Sequence, residues 1–301
     1  MTEEELEKYV RAGRIAKAAL EYGVGIVRSR RRVTLLELAE MIERKIVELG
    51  GRPAFPCNIG VNEVAAHYTP LGGEEHYLPE EGLVKIDVGV HVDGYIADTA
   101  VTVPLSSEYS EIVEVNREVL EKMIGAVRVG VRVGELGRIA EETAKKHGYL
   151  TIANLTGHLV DRYNLHAGKH IPNVWQFLSP RIERFEVYAI EPFLTFGDAS
   201  GYVKEIRGNV RIYSISRIKR EKDRRLEQLR REIMARYNKL PFTPRWLASE
   251  YGEDAYRGVE ELYRRGALRG YPVLVERNGR PVSQFEHTVV IYGDEVIVTT
   301  A

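Results

Sequence analysis

Residues 85–100 read KIDVGVHVDGYIADTA, and this stretch decides the fold of the first half of the chain. An Asp-Gly pair at 93–94 separates two runs of alternating side chains, which predicts a β-hairpin with a two-residue turn. In that register Asp98 lies opposite Gly89 and Asp87 shares their face, so the two carboxylates are diagonal neighbours about 7–8 Å apart at Cα. Two anions so close in an apolar frame need a neutralising partner. An arginine or lysine, a solvent-facing hairpin and a divalent cation are all open explanations at this point.

The composition is that of an ordinary globular protein. The chain has 301 residues, of which 44% are hydrophobic and 29% charged, with a net charge of -1. This length suffices for one large α/β domain or two ordinary ones, and the balanced charge indicates no nucleic-acid or membrane partner for the chain as a whole. The single cysteine, Cys57, excludes an intramolecular disulfide, and no apolar stretch approaches the length of a membrane span. We therefore expect a cytoplasmic protein.

Hydrophobic periodicity indicates two similar halves. Residues 34–51 repeat apolar side chains at helical spacing, with Thr34 as a candidate N-cap and glycines at the end as a stop. Helical spacing also marks the N-terminus. Four later segments are regular: 110–127 and 133–148 are helical, and 186–197 and 284–300 are strand-like, the last with a Gly-Asp turn. Helices then a hairpin, followed by helices then strands, is an order that predicts an α+β fold.

The stretch from 218 to 270 differs from the rest of the second half, because it is dense in charge and helical in period. We interpret 218–270 as a helical, winged-helix-like insertion subdomain within one domain that spans 1–301. Its first helix has an apolar face and an opposite arginine face: the apolar residues are Leu226, Leu229, Ile233, Tyr237 and Leu240, and the arginines are Arg220, Arg224 and Arg231. Interspersed glutamates favour an ordinary solvated face, and contact with nucleic-acid phosphates is the alternative.

Four further residues offer ligands that could join the two hairpin aspartates. His158 and His166 lie in TGHLVDRYNLHAG, Glu191 ends an apolar strand, and Glu286 begins the closing hairpin. Each one alone has an ordinary explanation, such as a hydrogen-bonded core histidine or a glutamate paired with arginine. Together, carboxylates and imidazoles in strand-like segments are the donor set of a divalent metal site. The sequence therefore predicts a metal centre that includes the aspartates of the hairpin.

At these residues the chain resembles the methionine aminopeptidases of type II, in their archaeal form. The matching stretches are NEVAAHYTP, KIDVGVHVDGYIADTA, LTGH, LHAGKHIPN, AIEPF and QFEHT, and they extend from residue 52 to the C-terminus. The resemblance implies a two-halved pita-bread fold, with the insertion before Tyr271 as the mark of type II. It also implies a dinuclear metal-dependent hydrolase that removes the initiator methionine from nascent proteins with a small second residue.

The resemblance implies a role for each candidate metal ligand. Asp87 would chelate one metal ion, and Asp98 and Glu286 would bridge two ions. His158 and Glu191 would complete the coordination of the other ion. The cofactors would be two divalent ions of Co, Mn, Fe, Ni or Zn, and a hydroxide that bridges them would attack the scissile carbonyl.

The remaining functional residues follow from the same resemblance. Glu191 would act as the general base, His166 would stabilise the oxyanion, and His67 would contact the scissile amide. Beside the two histidines, the walls of the methionine pocket would be Phe55, Leu165, Phe193 and Tyr271, with plain core packing an equal alternative for Phe193. The substrates would be nascent polypeptide N-termini, and we expect the enzyme to be a monomer. Because nascent chains leave a ribosome, weak ribosome docking through the arginine face of the insertion is a further hypothesis beside the favoured solvated face.

Two other functions are open as alternatives. A relative on the same fold could cleave X-Pro bonds, although NEVAAHYTP and the insertion favour the aminopeptidase. A non-catalytic relative could bind ribosomes or nucleic acid, but such relatives lose metal ligands, and all five candidate ligands are present here.

Overall fold

The first half of the chain places two helices against a small antiparallel sheet, in a computed structural model that describes residues 1–29, 31–216 and 221–301. Its elements are α1 (Glu3–Arg28), α2 (Leu35–Glu48), β1 (Arg52–Pro53), β2 (Asn58–Val61), β3 (Val64–Ala66), β4 (Leu83–Val92) and β5 (Tyr95–Pro104). Strand β4 is the centre of the sheet and pairs with β1, β2 and β5. Buried apolar side chains of both helices, β4 and β5 form one core cluster between the two layers.

Both N-terminal helices begin with a capping box, in which two backbone donors are satisfied reciprocally. The N–H of Glu5 donates to Thr2 Oγ1 at 3.2 Å, and the N–H of Thr2 donates to the Glu5 carboxylate at 2.7 Å. Thr34 and Glu37 make the same pair of bonds at 3.1 and 2.7 Å, which confirms Thr34 as the N-cap of α2. The helix ends just before Gly50, whose φ of 82° is the left-handed conformation that glycine adopts without strain.

The hairpin formed by β4 and β5 has the register that the sequence predicts. Gly89 pairs with Asp98, and Asp87 lies two residues before Gly89 on the same strand. The two turn residues at 93–94 have φ values of 52° and 90°, as a type I′ turn requires. A Cβ on Gly89 would lie 2.1 Å from the ring of Phe55. Glycine at this position therefore lets the aromatic ring approach the strand between the two carboxylates.

The second half begins with another pair of helices and a run of short strands. These are α3 (Ser110–Gly125), α4 (Val133–Lys146), β6 (Tyr149–Thr151), β7 (Thr156–Val160), β8 (His170–Pro172), β9 (Val187–Ile190) and β10 (Phe193–Phe196). The two helices agree with the predicted segments 110–127 and 133–148 to within two residues at each end. Their buried faces join side chains of β9 in a second core cluster.

Three helices follow a long strand and precede its partner. The elements are β11 (Val203–Ile215), α5 (Arg224–Tyr237), α6 (Arg245–Tyr251), α7 (Glu253–Arg264) and β12 (Leu268–Glu276). Strands β11 and β12 pair with each other, and the helices have a core cluster of their own that includes Leu226, Ile233 and Leu262. The predicted apolar face of α5 is confirmed for Leu226, Leu229 and Ile233, which are buried, whereas Tyr237 is partly buried and Leu240 lies beyond the end of the helix. Arg220 lies outside the described residues, as do residues 218–219 at the start of the predicted insertion. The extent of the insertion and its winged-helix character stay predictions.

The chain ends by completing the second half. Strands β13 (Val282–Gln284), β14 (His287–Tyr292) and β15 (Glu295–Val298) give a five-stranded sheet of order β15-β14-β9-β7-β8 and a three-stranded sheet of order β13-β10-β6. The predicted Gly-Asp turn is confirmed, because Tyr292 pairs with Glu295. An isolated antiparallel bridge between Ala100 and Glu286 joins the first-half hairpin to the second half. This mixture of helix pairs and sheets is the α+β class that the element order predicts.

A membrane span is not found among the described helices, since none of them is both long and apolar enough to cross a bilayer.

Candidate metal centre and substrate pocket

The five predicted metal ligands come from five places in the fold and meet in one cavity. Asp87 lies on β4 and Asp98 on β5, while His158 lies on β7. Glu191 directly follows β9, and Glu286 lies between β13 and β14. All five line the same cavity, which has a volume of about 60 Å³. The strands of both halves therefore bring together residues that are up to 199 positions apart in the chain, from 87 to 286.

The distances within this group are short. His158 Nε2 lies 3.7 Å from Asp98 Oδ2 and 3.5 Å from Glu191 Oε1. Ligand atoms of Asp98, His158 and Glu286 all lie within 4.8 Å of one another, and these three residues are 3%, 5% and 2% exposed. Such an arrangement fits one or more small cations between the side chains, because carboxylate oxygens and imidazole nitrogens are borderline to hard donors.

The protonation equilibria of the four carboxyl groups are strongly shifted. Burial raises the pKa of Asp87 to about 7. Burial, followed by repulsion from neighbouring carboxylates, raises the pKa of Asp98, Glu191 and Glu286 well above its usual value. The pKa of His158 moves the other way, to about 4, because burial disfavours the imidazolium. Without a cation, burial therefore disfavours ionisation of these carboxyl groups and keeps the histidine neutral.

Unpartnered oxygen atoms show that these residues fit a metal ion. Asp87 Oδ1, Asp98 Oδ1 and Glu286 Oε1 are buried, and no hydrogen-bond partner for them is present in the described part of the chain. A buried carboxylate oxygen without a donor is costly, and a divalent cation satisfies several such oxygens at once. Since His158 is already neutral, its ring can coordinate without losing a proton. The donor set is thus the one expected for a divalent metal site.

We expect metal affinity to rise steeply with pH between about 6 and 7. Asp87 has a pKa of about 7, so below that pH a proton must leave before the carboxylate can bind a cation. Each proton displaced strengthens apparent binding about tenfold per pH unit, and the gain stops once the group is ionised in the free protein. Isothermal titration calorimetry of the metal-free protein, in buffers of different ionisation enthalpy, measures both the metal affinity and the number of protons released. Affinity that is flat over this range, without proton release, would contradict the prediction.

Two further histidines lie beside the cluster. The rings of His166 and His158 have centroids 4.4 Å apart, and Tyr271 lies next in the row, stacked on His166 at 6.1 Å. His67 meets the same tyrosine edge-on at 5.6 Å, and its Nδ1 lies 3.1 Å from the carbonyl oxygen of Pro272. A carbonyl can only accept, so Nδ1 carries the proton and Nε2 is left as an acceptor. Tyr271 thus supports both histidines from one side.

The backbone of His67 is unusual for a side-chain-bearing residue. Its φ is 64°, in the left-handed region, directly after β3. Such a conformation costs on the order of 1–3 kcal/mol and persists where the surroundings hold it in place. Burial lowers the pKa of the His67 ring, which keeps it neutral at physiological pH. Sequence reasoning did not anticipate this strained conformation, since nothing in NEVAAHYTP marks it.

Most of the predicted pocket residues line the cavity, and Phe193 is the exception. Phe55, Leu165 and Tyr271 are lining residues, together with His67 and His166. Phe193 is 2% exposed and packs in a core cluster with Ala65, Ile152, Val203 and Val282, apart from the residues that line the cavity. Its placement favours the core-packing alternative over a role in the pocket wall.

The structure also reveals lining and supporting residues that sequence reasoning missed. Asn58 pairs with Asp87 across β2 and β4 and lines the cavity, as do Ala66, Ile212 and Pro241. Gln284 Nε2 lies 3.4 Å from Asp87 Oδ2 and 3.5 Å from Glu191 Oε2. A signal for Gln284 was present in QFEHT, because it stands two residues before Glu286 and strand alternation would put both side chains on one face.

Comparisons with known proteins agree with this site. The chain matches Metallopeptidase family M24 over residues 7–220. It is 45% identical over 298 residues to a methionine aminopeptidase of Pyrococcus horikoshii, which covers 98% of this chain and 99% of that relative. Two solved structures share the fold. A thermophilic Arx1 has a TM-score of 0.83 at 19% identity, covering 99% of this chain and 91% of the other. A methionine aminopeptidase from Thermotoga maritima has a TM-score of 0.67 at 23% identity, with coverages of 100% and 98%.

The two structural likenesses concern the fold alone, because their identities are low. They confirm the predicted two-halved pita-bread arrangement. The family match covers most of the chain, and the Pyrococcus horikoshii relative matches it along almost its whole length. The cavity of buried carboxylates and a neutral histidine in this chain agrees with metal-dependent chemistry. The chain therefore belongs to metallopeptidase family M24, whose reaction depends on divalent metal.

Proposed function

We infer that this protein is a methionine aminopeptidase, which removes the N-terminal methionine from nascent chains. The observation that carries the inference is the buried group of Asp98, His158 and Glu286, with ligand atoms within 4.8 Å of one another, at the floor of an apolar and aromatic pocket. Relatives that match the whole chain bear the same name. Hydrolysis at this site needs no serine, cysteine or threonine nucleophile.

We propose that the site holds two divalent ions. Five donor side chains, four of them carboxylates, are more than one small cation needs, and three carboxylates keep an unpartnered buried oxygen. Asp98 and Glu286 would be shared between the ions. Asp87 would complete one ion, and His158 with Glu191 the other. Co, Mn, Fe, Ni and Zn all suit such oxygen and nitrogen donors, with availability deciding among them.

The bound metal would supply an activated water and polarise the scissile carbonyl. Glu191, which is 12% exposed at the side chain and borders the cavity, would accept the proton of the attacking water and deliver it to the leaving amine. His166 would donate a hydrogen bond to the oxyanion that develops on the carbonyl oxygen. Because His67 Nδ1 donates to Pro272, its Nε2 would accept the N–H of the scissile amide. Glu191, His166 and His67 would all be held in position before the substrate binds.

The pocket walls suit a methionine side chain. Phe55 and Leu165 are 5% and 8% exposed, and Tyr271 completes the wall on the side of the histidines. Aromatic and aliphatic groups favour a flexible thioether, which makes close contacts with ring edges. We propose these residues as the specificity pocket, with Asn58 and Ile212 as further wall residues.

We expect methionine release only when the second residue of the substrate is small. The cavity is small, about 60 Å³, so we expect a bulky second side chain to collide with its packed walls. The test compares Met-Ala, Met-Ser, Met-Pro, Met-Lys and Met-Phe peptides, with kcat/KM measured by release of free methionine. We expect the last two to be cleaved at least about 100-fold more slowly than the first, a difference of about 2.7 kcal/mol.

The same assay separates the competing functions. An X-Pro dipeptide lacking N-terminal methionine should not be cleaved by the aminopeptidase, whereas an X-Pro peptidase would prefer it to Met-Ala. A non-catalytic relative would release no methionine from any peptide, with or without added divalent metal. Efficient cleavage of Met-Lys or Met-Phe would also overturn the proposed specificity.

We further propose that the protein acts in the cytoplasm as a monomer and docks weakly to ribosomes. Arg224 is exposed, and Arg231 is 64% exposed at its side chain, on the side of α5 opposite the buried leucines. Arginines in such positions suit phosphate contacts. Glu227 partly neutralises this surface, since it accepts a hydrogen bond from Arg231 Nε at 2.8 Å. Co-sedimentation with ribosomes at low and moderate salt tests the idea, and identical sedimentation of an Arg224→Glu, Arg231→Glu double variant would refute it.

A further inference from the structure

A buried ion pair joins the first half of the chain to the helices that follow β11. Glu43 lies on α2, and Arg245 is the first residue of α6. Arg245 Nη1 donates to Glu43 Oε2 at 2.9 Å, and Nη2 donates to Glu43 Oε1 at 2.8 Å. Both residues are only 8% exposed. A buried bidentate ion pair has favourable hydrogen-bond geometry. Removing one partner leaves the other charge buried without its counter-charge.

The Glu43 carboxylate binds more than the arginine. Trp246 Nε1 donates to Oε2 at 2.8 Å, and the backbone N–H of Cys57 donates to Oε1 at 3.1 Å. Each carboxylate oxygen therefore accepts two hydrogen bonds. Cys57 lies between Phe55 and Asn58, both of which line the substrate pocket. The Glu43 carboxylate thus anchors the backbone of the pocket wall between Phe55 and Asn58.

The guanidinium reaches a second segment of the site. Arg245 Nε donates to the carbonyl oxygen of Pro70 at 3.1 Å, and Nη2 lies 3.4 Å from Thr69 Oγ1. These residues follow His67 closely along the chain. A backbone hydrogen bond from Ile59 to the carbonyl of Tyr68, at 2.9 Å, ties the two segments to each other. One ion pair therefore fixes the segment that carries Phe55 and the segment that leads away from His67.

We propose that Glu43 and Arg245 are positioning residues for the methionine pocket. Through the Cys57 backbone they hold Phe55 and Asn58 against the metal-binding strands, and in this way they set the affinity for substrate. The expected change in substrate affinity rests on the proposed function. The contacts of the ion pair are independent of that function. His67 has supports of its own in Tyr271 and the Pro272 carbonyl. Loss of the Glu43–Arg245 ion pair should therefore affect substrate binding more than turnover.

The chain offers a matched control for ordinary stabilisation by a buried ion pair. Arg230 and Glu227 of α5 are 7% and 6% exposed, and Arg230 donates to both carboxylate oxygens at 2.9 and 3.0 Å. Among the described residues, the other partners of this carboxylate are the side chain of Arg231 and the backbone N–H of Glu221, neither of which lines the pocket. Arg230→Met and Arg245→Met therefore remove bidentate pairs of similar geometry and similar exposed fraction, only one of which touches the pocket wall.

The chain also contains its own reporter. Cys57 is the single cysteine, and it is 1% exposed. Its rate of reaction with a thiol reagent such as dithionitrobenzoate, under native conditions, measures how often the pocket wall opens. This readout requires neither metal nor substrate, so it stays informative even if the proposed function is wrong.

The experiment compares the two methionine variants with the unaltered protein, well below the temperature at which either variant unfolds. For Arg245→Met we expect KM for a Met-Ala peptide to rise about tenfold with kcat within about threefold, since a loss of uniform binding raises KM alone. Thiol labelling should accelerate by about tenfold or more. Arg230→Met should lose thermal stability but keep both KM and the labelling rate.

Equal KM and equal labelling in the two variants would overturn the proposal. If Arg245→Met does not fold, Arg245→Lys takes its place, because lysine keeps the charge but cannot span both carboxylate oxygens and Pro70. That variant should show a smaller change in the same direction, and unchanged labelling of it would count against the proposal. Absence of methionine release by the unaltered protein would overturn the proposed function, and the labelling comparison would still decide the role of the ion pair.

Discussion

Replacing Asp98 with alanine is expected to empty the metal site and to lower methionine release by about 10³-fold or more. Asp98 is 3% exposed, lies 3.7 Å from the ring nitrogen of His158, and shares the cluster with Glu286. As the proposed ligand common to two ions, it cannot be lost without weakening both. Glu286→Ala should behave in the same way.

Metal content per chain, measured by plasma emission spectrometry after dialysis against trace metal, is the direct readout, with kcat/KM beside it. Asp98→Asn keeps the volume of the side chain, so it tests the effect of the carboxylate charge without creating a cavity. Asp294→Ala is the control, because Asp294 is an exposed aspartate that pairs with Arg184 on the surface. Normal metal content and activity in both Asp98 variants would refute the assignment of this residue as a shared ligand.

Replacing His166 with alanine should leave metal content unchanged and lower kcat on the order of 10²–10³-fold, the usual cost of one oxyanion donor. The ring of His166 lies 4.4 Å from that of His158, close enough to face a carbonyl bound at the cluster. Although its side chain is exposed at the cavity mouth, the protein packed around its other sides lowers its pKa well below the usual value. The ring is therefore a neutral donor that needs no proton from solvent.

The matched control is His170→Ala, since His170 is an exposed histidine that pairs with His158 in the ladder between β7 and β8 and is not one of the cavity-lining residues. We expect that variant to keep kcat, KM and metal content. Unchanged kcat in the His166 variant would remove this residue from the mechanism. A loss of metal instead would indicate that the residue supports His158 in the metal site.

The hairpin illustrates what could be predicted from local spacing. An Asp-Gly turn with strand alternation determines which side chains share a face, and the structure confirms Asp98 opposite Gly89. Thr34 as the N-cap of α2 could similarly be predicted, because helix capping depends on residues a few positions apart. The donor set of Asp87, Asp98, His158, Glu191 and Glu286 was recognisable as a whole through its motifs, and these residues do line one cavity.

By itself, then, the sequence determined the α+β class, the hairpin register and the helix starts, all of which depend on neighbours within a few positions. It also offered the donor set as a prediction, through motifs that resemble a known family. Only the tertiary structure decided which residues close the site. Phe193 packs in a core cluster, and Gln284 lies near both Asp87 and Glu191. Arg245 pairs with Glu43, which is 202 positions away in the chain. The physical reason is that such contacts depend on how separate elements pack, and helical or strand periodicity tells which face of an element is buried but not which partner covers it.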